Sequence, residues 1–158
     1  MTKDYMDASQ AIDARRGIDY IGVTTPFYCY DNKGRILLHR RGSKCRDEVG
    51  RWDCGGGSME FGESFEEAVT REIGEEYGAA PKQLKLCGVT NVVRDNNGVK
   101  THWIAVIFAA EVSPSAVRIM EPDKVDELGW FYSDNLPTPL HSMLAPHLEI
   151  VRRAGVKI

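Results

Sequence analysis

Between Gly55 and Ala79 the chain reads GGGSMEFGESFEEAVTREIGEEYGA, which gathers Glu60, Glu63, Glu66, Glu67, Glu72, Glu75 and Glu76 into one short stretch. Phe65, Ala68, Val69 and Ile73 recur at spacings of three and four, so the pattern predicts a helix over 64–77 with Gly78 as its C-cap. At about 100° per residue, Glu72, Glu75 and Glu76 fall on one narrow arc. Phe65, Ala68 and Val69 lie on nearly the same arc, one to two turns earlier. A surface helix turns its charges away from its apolar stripe. Like charges three and four apart repel by roughly 0.2–0.5 kcal/mol per pair. The C-terminal half of a helix also disfavours anions, by about 0.3–1 kcal/mol each. Such concentrated violations of local rules mark functional sites.

A divalent cation is the natural compensation. An oxygen-only donor set suits Mg²⁺ or Mn²⁺ better than zinc, and Mg²⁺ prefers a few carboxylates together with substrate phosphates. The alternative is a solvated acidic face, neutralised in part by Arg71 through Glu75 and Glu67. Gly55, Gly56 and Gly57 stand just before the helix and allow close approach of backbone to a ligand. Their carbonyl oxygens are brought toward the same cation. Gly62 and Glu63 open the helix, where an acid suits the dipole.

Gly57, Glu63, Arg71, Glu72, Ile73, Glu75, Glu76, Gly78 and Ala79 together resemble the Nudix box, the signature of the Nudix hydrolases, MutT-like enzymes included. The charged and glycine positions all fit, and Ala79 is smaller than the usual aliphatic residue. Upstream, Trp52-Asp53-Cys54-Gly55-Gly56 departs from the family's Trp-x-x-Pro-Gly-Gly, because Cys54 cannot supply proline's fixed φ. Cys54 reads as a small buried residue, with a nucleophile as the alternative. The resemblance implies an α/β/α sandwich and hydrolysis of a nucleoside diphosphate linked to some group X. It implies Glu72, Glu75 and Glu76 as metal ligands with the Gly56 carbonyl added, and Glu72 as a candidate base. Arg71 is implied to orient the glutamates and Glu63 to assist near the metal. Metals would neutralise phosphate oxygens and lower the pKa of the attacking water.

The remaining pattern agrees with one α+β domain, a mixed sheet flanked by helices, rather than an alternating parallel fold. Residues 1–17 are polar and read as a loose arm or short helix, with the domain over 18–158. Ile18–Tyr30, RILLHR, KLCGVTNVV, THWIAVIFAAEV and ELGWFYS read as strands, with hairpin turns at DNKG and DNNG. PLHSMLAPHLEIVRR reads as a terminal helix with Pro146 inside it. A net charge of −3 gives no footprint for duplex nucleic acid. No apolar run suits a membrane. Four scattered cysteines without a CxxC pair argue for reduced thiols in the cytoplasm and against structural zinc. A homodimer is left open.

His39, Arg40, Arg41, Lys44 and Arg46 form a local basic patch, either a solvated loop or a rim that attracts phosphates. Arg40 and Arg41 are taken as substrate-binding candidates. MEPDKVDELGWF is similar to the EP-D/E-K…WF segment of MutT-like triphosphatases. This makes Glu121 a candidate catalytic or metal-site acid and Asp123 a second; a polar turn is the alternative. Trp103 is a candidate for stacking on a base, or core. The small-molecule nucleotide substrate is read as a nucleoside triphosphate, with ADP-ribose or a nucleotide sugar as runner-up. A non-catalytic nucleotide-binding domain of the same fold is a rival reading, though all the box glutamates are present. An acidic-helix interaction protein is another, which the glycine spacing disfavours.

Overall fold

The structure is a computed structural model that describes residues 13–158. The arm expected over 1–17 therefore falls, for residues 1–12, outside the described residues. Strict alternation organises the sheet. In the strand Val99–Glu111, Trp103, Ala105, Ile107 and Ala109 face one way, and Val106, Phe108 and Ala110 face the other. Both faces are buried, so this strand is the middle of a sandwich.

In chain order the elements are β1 (Gly22–Thr24), β2 (Phe27–Tyr30), β3 (Arg35–Arg41), β4 (Trp52–Asp53) and α1 (Phe65–Tyr77). They continue with β5 (Gln83–Asn96), β6 (Val99–Glu111), β7 (Val125–Tyr132) and α2 (Leu144–Arg153). The seven strands form one mixed sheet. β6 runs parallel to β1 and β2 and antiparallel to β5, while β3 is antiparallel to β2, β4 and β7. On one face Tyr28, Ile36, Leu38, Ala105 and Ile107 pack with Leu144, Leu148 and Val151 of α2. On the other, Phe27, Leu37, Val106 and Phe108 pack with Val69, Ile73 and Tyr77 of α1. At roughly 1.5–3 kcal/mol for each large apolar side chain buried, these two layers fix both helices against the sheet. The result is the α/β/α sandwich that the sequence implied. Among the described residues no helix is long and apolar enough to cross a membrane, and all four cysteines are free thiols.

Two expected elements differ. The strand expected over Ile18–Tyr30 is two strands, broken at Thr25-Pro26. Pro26 has no N–H for a ladder. The break is where the glycine run docks: Thr25 N donates to Gly57 O and Phe27 N to Gly55 O, both at 2.9 Å. The terminal helix begins only at Leu144, so Pro146 sits in its first turn, where a missing N–H costs no bond. The preceding residues are held instead by β4, with His141 N donating to Trp52 O and Trp52 N to Pro139 O, each at 2.8 Å.

Candidate active site

α1 is fixed at both ends by its own sequence. Ser64 is the N-cap: Glu67 N donates to its Oγ at 3.2 Å, and Ser64 N donates to Glu67 Oε2 at 2.8 Å. Gly78 takes a left-handed φ of 64°, and its N–H closes onto Gly74 O. Ala68, Val69, Ile73 and Tyr77 are the buried stripe, whereas Phe65, expected on that arc, is exposed. Glu72 and Glu76 border the stripe. Glu75 lies one residue, about 100°, away from Glu76 and has a side chain 54% exposed. The single narrow arc expected for the three glutamates is thus two inward carboxylates and one outward.

The inward pair meets the glycine run. A Cβ at Gly57 would overlap the Glu72 carboxylate, and one at Gly55 would overlap the Phe27 ring and lie 2.8 Å from Glu76 Oε2. With the Gly55 and Gly57 carbonyls bonded to β2 and the segment before it, alternation turns the Gly56 carbonyl to the opposite edge. Glu76 Oε2 is buried and has no hydrogen-bond partner. Burial, followed by the charges of Glu72 and Glu121, pushes the Glu76 carboxyl well above the usual carboxylate range. Burial also raises Glu72, against the pull of Arg71.

Arg71 is the hub. It donates to Glu63 Oε1 at 2.6 Å, Glu63 Oε2 at 3.0 Å, Glu72 Oε1 at 2.7 Å, Glu75 Oε2 at 3.3 Å and Ser58 O at 3.3 Å. These bonds push Glu63 down to about 2. Glu67, expected as an Arg71 partner, is committed to the helix cap instead. Glu121 reaches the site because its segment docks on the end of α1: Arg118 N donates to Tyr77 O and Met120 N to Glu76 O. These bonds satisfy carbonyls that a helix end leaves open. Lys124 Nζ sits 2.9 Å from Glu121 Oε1. Among the described residues no three His, Cys, Asp or Glu side chains are gathered at metal-holding spacing, and Glu75 is turned out to Arg71.

These groups line a cleft of about 650 Å³ that runs on past the acids to Arg41, Asp53, Arg94, Trp103 and His141. Arg41 is in the cleft but committed, to Asp47 at 2.7 Å and Asp53 at 3.1 Å. Arg40 and Asp123 are not lining residues. Arg40 sits on the exposed side of β3 beside Glu127, and Asp123 is exposed and paired with Lys44 at 2.6 Å. Trp103 is 9% exposed, seated against Gly17 and Gly22, with the Arg46 guanidinium over its ring at 5.7 Å. Arg46 occupies a face on which a base would stack. Cys54 is buried, and burial beside Asp53 pushes its thiol far up, which makes it a packing residue and not a nucleophile.

Sequence reasoning missed the network that braces this cleft. Glu48 accepts from Arg94 at 2.6 Å and from both Ser142 N and Ser142 Oγ, while Asp47 joins Arg41 to Arg94. His39 donates to or accepts from Tyr77 Oη at 2.7 Å, and burial lowers it to about 4. The hydrophobic pattern of β3 could have marked His39 as inward, since it continues the Leu37 face.

Residues 22–154 match the NUDIX domain family. The chain belongs to the Nudix family. The solved MutT NUDIX hydrolase of Burkholderia pseudomallei is 37% identical, with a TM-score of 0.74 over 84% of this chain and 98% of that one. The ADP-ribose pyrophosphatase of Methanocaldococcus jannaschii is 39% identical over 108 residues, 68% of this Nudix chain and 59% of the relative. The mouse 8-oxo-dGDP phosphatase NUDT18 is 29% identical over 72% of this chain and 32% of its own length. The Nudix chain thus spans about a third to three fifths of the curated relatives it matches.

Proposed function

We propose that the protein is a Nudix pyrophosphohydrolase that uses a divalent cation, Mg²⁺ or Mn²⁺, to split a diphosphate bond in a nucleoside diphosphate linked to X. The reading rests on one observation above the rest: Glu72 and Glu76 press on Gly57 and Gly55, with Glu76 Oε2 buried and unpaired. A buried carboxylate oxygen without a partner costs several kcal/mol unless it is protonated or bound to a cation. The donors here are oxygens only, so the residues fit a hard divalent ion, held by Glu72, Glu76 and the Gly56 carbonyl, with Glu75 and Glu121 in reach of the same cleft.

When bound, such an ion supplies charge neutralisation at the phosphate oxygens and acidifies the attacking water. The chain's own residues do the rest. Arg71 grips Glu72 Oε1 and so orients the carboxylate in the cleft, where Glu72 is the candidate base for the attacking water. Arg71 and Glu63 hold each other, which fixes the guanidinium against Ser58. Glu121 and Lys124 close the wall beside Glu76.

Nucleoside triphosphates are the preferred substrates, on the likeness of the Glu121 segment to that of MutT-like triphosphatases. ADP-ribose is the second reading, supported by the Methanocaldococcus relative. The test is a Mg²⁺-dependent screen over nucleoside triphosphates, nucleotide sugars, ADP-ribose and dinucleoside polyphosphates, with products identified by mass. Cleavage between phosphates that disappears with EDTA and in Glu76→Gln is the expected result. Tight binding without product for every compound would identify a nucleotide-binding domain instead.

A further inference from the structure

Arg16, Arg41, Lys44, Arg46, Arg71, Arg94 and Lys124 supply positive charge along the cleft. Five of them are neutralised by carboxylates: Arg41 by Asp47 and Asp53, Lys44 by Asp123, Arg71 by Glu63 and Glu72, Arg94 by Asp47 and Glu48, and Lys124 by Glu121. Arg16 and Arg46 have no carboxylate at ion-pair distance among the described residues. Both are held in place all the same. Arg16 Nη1 donates to Met59 O at 3.0 Å, and Arg46 lies over the Trp103 ring. The indole itself is wedged against Gly17, the residue after Arg16, where a Cβ would overlap the ring. Trp103 thus packs against the backbone beside Arg16 and lies under Arg46, and both guanidinium groups line the cleft without a carboxylate partner among the described residues.

The corner lies close to the acids along the chain. Met59, whose carbonyl anchors Arg16, is two residues past Gly57, which the Glu72 carboxylate touches. Met59 N is itself bonded to Val23 O at 3.1 Å, so this stretch is pinned beside β1. Two residues of extended chain span about 7 Å. A substrate whose scissile diphosphate sits at Glu72 and Glu76 would bring its next group to Arg16 and Arg46. Guanidinium groups favour phosphate, which accepts paired N–H donors in one plane. Arg16 also precedes residue 22, where the family match begins, so half of the corner comes from outside the matched domain.

We propose that Arg16 and Arg46 bind the terminal phosphate of a polyphosphate substrate, and so favour nucleoside triphosphates over nucleotides whose far end is an uncharged sugar. This rests on the hydrolase reading above and gives Trp103 a positioning role under Arg46, not a stacking role under a base. The test is calorimetric affinity in Mg²⁺ for α,β-methylene-ATP and for the α,β-methylene analogue of ADP-ribose, neither of which needs turnover. Arg16→Gln and Arg46→Gln should each weaken the ATP analogue about tenfold, the size of one lost charged hydrogen bond, and the ADP-ribose analogue less than twofold. Arg46→Lys should recover part of the loss, and thermal melts should be unchanged because both side chains are exposed. Equal weakening of both ligands, no weakening of the ATP analogue, or tighter wild-type binding of the ADP-ribose analogue would overturn the proposal. An absence of product in the substrate screen would instead overturn the hydrolase reading, since calorimetry reads binding alone.

Discussion

Replacing Gly57 with alanine adds one methyl group at the point where the Glu72 carboxylate rests. The new Cβ would overlap Glu72 Oε1 and Cδ, so the carboxylate must leave. Two consequences separate cleanly. Stability should change little, because the displaced group is the end of a flexible side chain and Gly57 has no positive φ to lose. Overpacking costs about 1–3 kcal/mol in a rigid core, and a side chain with 14% exposure and a route outward belongs at the low end. About 1 kcal/mol is a fall of roughly 2–4 °C in Tm for a chain of this size. Turnover should fall far more, by the 10²–10⁴-fold that a positioned general base contributes. The assay is steady-state kinetics on the best substrate, run for Gly57→Ala, Glu72→Gln and the double variant. If the glycine acts only by making room for Glu72, Gly57→Ala should cost nothing further once Glu72 is glutamine-substituted. Full additivity of the two losses would refute the steric reasoning.

Neighbouring groups give further expected outcomes. Gly74 lies inside α1 with no atom within 4 Å of an added Cβ, so Gly74→Ala should raise stability by about 0.5–1 kcal/mol in urea melts and leave kcat unchanged. His147 is buried with an unpaired Nε2, and burial, then the nearby His141, lowers it from 6.5 to about 4. The unfolded chain therefore binds the extra proton between about pH 6.5 and pH 4, and stability is lost as pH falls through that window. At about 1.4 kcal/mol per pH unit the loss approaches 3 kcal/mol, and His147→Phe should flatten the stability–pH curve by about that amount. An equally steep curve in the variant would mean that His147 is charged in the fold. Arg71→Lys keeps the charge but cannot reach Glu63, Glu72 and Ser58 together, so turnover should fall at least tenfold with KM little changed.

What the sequence made legible is what local chemistry decides. Ser64, Gly78 and the Ala68, Val69, Ile73 spacing define α1 to within a residue, and the glycine run predicts a close approach that the Glu72 and Glu76 contacts now explain. What it hid depends on long-range partners. Glu48 meets Ser142 across 94 residues, and no local pattern announces that pairing. Arg40 and Arg41 looked equivalent, but as neighbours on β3 they point to opposite faces of the sheet, one to Glu127 and the other into the cleft. Glu67 was legible as half of a capping box with Ser64, a competing use that the i−4 spacing to Arg71 obscured. The β-rich run over Ile18–Tyr30 read as one strand straight through Pro26, and the break there follows from the docking of Gly55 and Gly57, which lie far along the chain.

The central claim is that Glu72 and Glu76 hold a divalent cation against the glycine run. Mn²⁺ tests it most directly, by anomalous diffraction from soaked crystals of the wild-type protein and of Glu76→Gln, together with Mn²⁺ affinity in solution without nucleotide. Anomalous density touching Glu76, Glu72 and the Gly56 carbonyl is expected in the wild type, with affinity reduced at least tenfold and that density gone in Glu76→Gln. Density elsewhere, or Mn²⁺ binding that Glu76→Gln leaves intact, would contradict it.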